Sequence, residues 1–135
     1  MKTSRPHLEK VINAGIRTVI YAGDADYICN YQGVENMVNA LRFTHSSQYA
    51  STPWTTWKVD GVTVGQFKNA GSFSYVRVSR FVPQFEAPSF RLTLVASRAG
   101  HLVPAYTVGN LPNGLHALTM FNQAMAGEPI SSTEA

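Results

Sequence analysis

The chain has 135 residues, 44% of them hydrophobic and 14% charged, which is enough apolar material for one domain over residues 1–135. Its formal charge of +3 comes from scattered residues such as Arg42, Lys58, Lys68, Arg77 and Arg91, and a nucleic-acid surface would need them clustered. The single cysteine, Cys29, excludes an internal disulfide, and no apolar run nears the ~20 residues that span a bilayer.

In chain order, Pro6 near a helix start, Leu8, Val11 and Ile12 at helical spacing and Gly15 as a stop predict a short amphipathic helix. Arg17 to Tyr21 follows as a β-branched strand, apolar enough for the inside of a parallel sheet. The acidic run Gly23-Asp24-Ala25-Asp26 closes it. Val34 to Phe43 reads as the next helix, with Val34, Met37, Val38 and Leu41 on one face, and Ser46 to Pro53 as a loop rich in breakers. Thr55 to Val59 and Val62 to Gly65 flank Asp60-Gly61, a favoured hairpin turn. Phe73 to Val78 alternates as a strand, and Phe90 to Val95 is strand-like. Leu115 to Met125 predicts a closing helix ended by Gly127, and the tail from Ile130 is expected to fray.

Two short motifs carry the chemistry. Gly23-Asp24-Ala25-Asp26-Tyr27-Ile28-Cys29-Asn30 places carboxylates at the end of a strand. Ala99-Gly100-His101-Leu102-Val103-Pro104 places a histidine on a loop before the last helix. An acid followed by a base in that order is two thirds of a Ser-His-Asp triad as the α/β-hydrolase fold arranges it. The serine should precede both on a G-x-S-x-G elbow, and no serine here has glycine two residues to either side. No nucleophile is therefore assigned. Asp26 can also be read as an Asx residue that merely closes its turn, and Asp24 as a structural residue bonding turn amides. His7, His45 and His116 have no partner pattern and read as surface residues. Cys29 alone reads as ordinary core. No His, Cys and Asp show metal-ligand spacing, so no metal is expected, and triad chemistry needs no cofactor.

The wording of the two motifs resembles the C-terminal portion of the serine carboxypeptidases, closest to the fungal secreted or vacuolar branch. The resemblance implies an incomplete α/β-hydrolase domain, a parallel sheet flanked by helices. It implies that Asp26 is the triad acid, His101 the base, Cys29 a thiol lining the substrate pocket and Leu102 a residue shaping the leaving-group side. The substrates implied are peptide or protein C-termini, with the serine on an upstream half and with neither nucleic acid nor membrane as partner. Met1 to Pro6 is too polar for a secretory signal, so a secreted or vacuolar location is implied for the intact family alone. Residues 79–98 have no counterpart between the Phe-Ser-Tyr-Val-Arg-Val strand and the histidine loop. They read either as an inserted surface hairpin or as translated intron. A non-catalytic module derived from the fold, and an acyltransferase or lyase on it, stand as alternatives, because a fold and a triad do not fix the reaction.

Overall fold

The computed structural model describes residues 4–79, 108 and 110–134. They form an α/β domain with four strands in the order β1-β4-β3-β2. Helix α1 (Arg5–Asn13) leads into β1 (Thr18–Gly23), then α2 (Tyr31–Asn39), α3 (Ser46–Ser51), β2 (Thr55–Val59), β3 (Val62–Ala70), β4 (Phe73–Val78) and α4 (Leu115–Met125). The sheet is mixed, which corrects the expected parallel sheet. Only β1 and β4 run parallel, from Thr18↔Phe73 to Gly23↔Val78. β2, β3 and β4 form an antiparallel meander, because their short connections permit only hairpins. Among the described residues β1 pairs on one side only, and Tyr21 on it is exposed.

Each face of the sheet buries its own cluster. Trp57, Val59, Val64, Phe67, Val76 and Val78 pack with Met120 of α4 and with Ile130. On the opposite face Ala22, Phe73 and Tyr75 pack with Ile12 of α1, Val38 of α2 and Tyr49 of α3. At about 1.5–3 kcal/mol for each fully buried large apolar side chain, these two layers dominate the stability.

Local chemistry explains where the elements begin and end. Asn30 caps α2 by accepting from the Gln32 amide at 2.8 Å, so the helix starts three residues before the expected Val34. It stops at Asn39 rather than Phe43 because later amides are diverted to α1. Arg42 N–H donates to Glu9 Oε1 and Thr44 N–H to Asn13 Oδ1, both at 2.9 Å. The expected loop at Ser46 to Pro53 contains α3, held by tertiary contact: the Tyr49 ring meets Phe73 at 5.5 Å and Phe43 at 6.4 Å. The Asp60-Gly61 turn has φ of 47° and 74°, the left-handed pair a two-residue hairpin requires. Beside it the β2–β3 register shifts at Trp57 and Lys58. There β3 passes so close to β4 that a Cβ on Gly65 would lie 2.1 Å from the Arg77 carbonyl oxygen.

The C-terminal tail is not frayed. Ile130 is 1% exposed, and its carbonyl accepts from Asn69 Nδ2 at 2.8 Å. Trp57 Nε1 donates to the Ser131 carbonyl at 3.2 Å. Thr133 N–H donates to the Lys58 carbonyl and its own carbonyl accepts from Gly61 N–H, so residues 130–133 run along β2 and cover that edge of the sheet. His116, expected at the surface, is fully buried on α4 with Met120 and Gln123. Leu118 and Phe121, on the other side of that helix, are exposed.

Candidate active site

The parallel pairing of β1 with β4 brings two chain exits to the same, carboxyl end of the strands. Gly23 lies opposite Val78, and Asp24 N–H donates to the Val78 carbonyl at 3.0 Å. From β1 the chain enters the acidic loop. From β4 it leaves at Ser79, whose N–H donates to the Val64 carbonyl. Carboxyl ends of parallel strands are where open α/β sheets place ligand chemistry.

The acidic loop is a pair of successive side-chain-closed turns. Asp26 N–H donates to the Gly23 carbonyl at 3.2 Å. The Asp26 carboxylate then accepts from Ile28 N–H at 2.9 Å and from Cys29 N–H at 2.8 Å, both at Oδ1. Bonds from charged carboxylates to backbone amides are the stronger kind, and two of them on one oxygen fix the carboxylate's position. Asn30 repeats the device one step later by capping α2, so the acid is anchored to a strand on one side and a helix on the other.

The site residues read from sequence fall as follows. Asp24, Ala25 and Asp26 are half-buried, whereas Tyr27, Ile28, Cys29 and Asn30 are exposed. Cys29 is a free cysteine with an exposed side chain, not the core residue that a lone cysteine suggests. His101 and Leu102 lie outside the described residues, as does residue range 80–98 of the expected insertion. Among the described residues no group of three or more His, Cys, Asp or Glu is placed to hold a metal. No described helix is long and apolar enough to cross a membrane.

One charged cluster escaped the sequence reading. Arg77 and Lys68 emerge on the α2–α3 face of the sheet from neighbouring strands. The Arg77 guanidinium donates to Gln66 Oε1 at 2.5 Å, lies 3.8 Å from Glu35 Oε2, and sits 5.0 Å from the Trp54 ring centroid. The Lys68 ammonium lies 4.6 Å from the Tyr49 centroid and 5.7 Å from that of Trp54. Burial pushes the Tyr75 hydroxyl up to about 12 and Tyr49 higher still, with Glu35 adding to both, so both phenols keep their protons. A second polar chain lies under the tail. Arg17 Nη2 donates to Ser74 Oγ, which donates to Asn69 Oδ1, and loss of solvation lowers the Arg17 value.

Comparison with known proteins matches residues 1–127 to the serine carboxypeptidase family model. The chain belongs to the serine carboxypeptidase family. It is 33% identical over 126 residues to carboxypeptidase S1 of Penicillium janthinellum, a match covering 93% of this chain and 24% of that protein. It is 34% identical over 99 residues to carboxypeptidase Y of Schizosaccharomyces pombe, covering 71% of this chain and 10% of that one. A vacuolar serine-type carboxypeptidase of Saccharomyces cerevisiae is 33% identical over 102 residues, covering 71% of this chain and 20% of the relative. The chain thus spans a quarter or less of the length of these serine carboxypeptidases.

Proposed function

We propose that this chain supplies the acid and the base of a serine carboxypeptidase, as the C-terminal part of an α/β-hydrolase fold. The observation that carries the reading is the Asp26 carboxylate, fixed by the Ile28 and Cys29 amides at the carboxyl end of the parallel β1–β4 pair. A serine outside these 135 residues attacks the carbonyl carbon of the substrate's last peptide bond. His101 takes the serine proton and passes it to the leaving amine, then takes a proton from the water that hydrolyses the acyl-enzyme. Asp26 holds the imidazole in the required tautomer and stabilises its charged form. Cys29 and Leu102 contact the substrate, peptide or protein C-termini, and Asp24 serves the turn. The intact enzyme works in the vacuole or outside the cell.

On this reading the purified chain neither hydrolyses peptides nor labels with a fluorophosphonate probe, since the covalent route needs a serine and its oxyanion hole. With the serine-bearing portion restored, Asp26→Asn should lower kcat by about 10⁴-fold and leave KM nearly unchanged, while Asp24→Asn acts on stability. Loss of activity from Asp24→Asn alone in a folded protein would reverse the two assignments. Residues 79–98 are an insertion relative to the family, and the mature transcript decides between a hairpin and a retained intron.

A further inference from the structure

The α2–α3 face of the sheet contains a cavity of about 270 Å³ whose lining includes Lys68, Tyr49, Asn39 and Ser46, with Val38, Leu41 and Phe43 as apolar walls. None of these residues belongs to the acidic loop. Lys68 is only 9% exposed and forms no ion pair among the described residues. Among the described residues aromatic rings approach its ammonium, and no carboxylate lies within ion-pair distance of it. Glu35, which also lines the cavity, lies within ion-pair distance of Arg77. Tyr49 is 3% exposed, and its buried hydroxyl has no hydrogen-bond partner among the described residues. A buried hydroxyl left unpartnered is destabilising, and a buried cation without a counterion more so.

We propose that this cavity binds the carboxylate of a small amphipathic acid, with Lys68 and Tyr49 as its donors. The inference does not rest on the carboxypeptidase reading. The ligand's carboxylate receives the Lys68 ammonium and the Tyr49 hydroxyl, and the Asn39 side-chain amide is a further donor. Its hydrocarbon lies along Val38, Leu41 and Phe43. Among the described lining residues one lysine ammonium accompanies the Glu35 carboxylate, which suits a monoanion better than a phosphate. The volume equals about nine waters at ~30 Å³ each, room for a short-chain or aromatic acid. A wider groove of about 500 Å³ shares Asn39, Leu41, Ser46 and Ala50 with the cavity and carries Arg5 and Arg42, which favours entry of an anion. The Tyr49 value, raised by burial, keeps its hydroxyl a donor.

The test uses octanoate, with octan-1-ol and inorganic phosphate as controls, titrated into the full 135-residue chain by calorimetry and amide NMR. Octanoate should bind saturably, with shift changes at Asn39, Ala50 and Lys68, and Lys68→Met should weaken it about tenfold or more, the scale of a charge-assisted hydrogen bond. Tyr49→Phe should weaken it by about two- to tenfold, the scale of a neutral bond. Octan-1-ol binding as tightly as octanoate, phosphate binding in its place, or shift changes mapping to other residues would each overturn the proposal. Should Lys68→Met fail to fold, Tyr49→Phe and the shift map decide: unchanged affinity in Tyr49→Phe rejects the site.

Discussion

Replacing Ile130 by alanine tests the pinned tail, the feature least expected from a chain terminus. Ile130 is 1% exposed and packs among Trp57, Phe67, Val76 and Met120. Its carbonyl bond from Asn69 Nδ2 survives the substitution, so the change isolates side-chain burial. An isoleucine-to-alanine change in a packed core destabilises by about 2–5 kcal/mol, whereas a substitution in a frayed tail falls within about 0.5 kcal/mol. Urea unfolding followed by tryptophan fluorescence is a suitable assay, because Trp57 donates to the Ser131 carbonyl. The midpoint should fall with the slope unchanged. A loss below about 0.5 kcal/mol would refute the reasoning.

Stability should decline as pH rises above 10, the ordinary tyrosine value. The Tyr75 hydroxyl, fully buried and raised to about 12, makes its full contribution below pH 10 and loses it as pH climbs through 12. At about 1.4 kcal/mol per pH unit between those values, the loss approaches 3 kcal/mol, with Tyr49 acting in the same direction. Unfolding free energies measured between pH 8 and 12 check this, and a flat profile would contradict it. Gly65→Ala should destabilise by about 1–3 kcal/mol or more, the range for forced overpacking, because its Cβ would meet the Arg77 carbonyl oxygen at 2.1 Å. Thermal unfolding measures it, and an unchanged midpoint would show that β3 and β4 separate without cost.

Legibility from sequence followed the range of the deciding interactions. Phe73–Val78 and Leu115–Met125 appear with the expected bounds, as does the Asp60-Gly61 hairpin, because alternation, helical spacing and turn chemistry are local. The α3 helix was hidden because aromatic contacts of Tyr49 with Phe43 and Phe73, distant in sequence, outweigh local breakers. The rotation of α4 that buries His116 and exposes Phe121 follows from what the sheet and tail present, not from residue type. In the site, the acidic run Gly23-Asp24-Ala25-Asp26 after a strand revealed the turn, and the bonds from Ile28 and Cys29 N–H to the Asp26 carboxylate lie within that local segment. The Lys68–Tyr49–Arg77 cluster left no linear signal. The β3–β4 register, with Lys68 opposite Tyr75 and Gln66 opposite Arg77, creates it.

The most direct test of the central claim, that Asp26 is the carboxylate serving His101, is an NMR titration of the His101 imidazole in the intact chain and in Asp26→Asn and Asp24→Asn. An adjacent carboxylate favours the charged imidazole. Removing the Asp26 charge should therefore move the His101 titration to lower pH, and Asp24→Asn should move it less. An unchanged titration in Asp26→Asn, with the fold intact by amide NMR, would contradict the account.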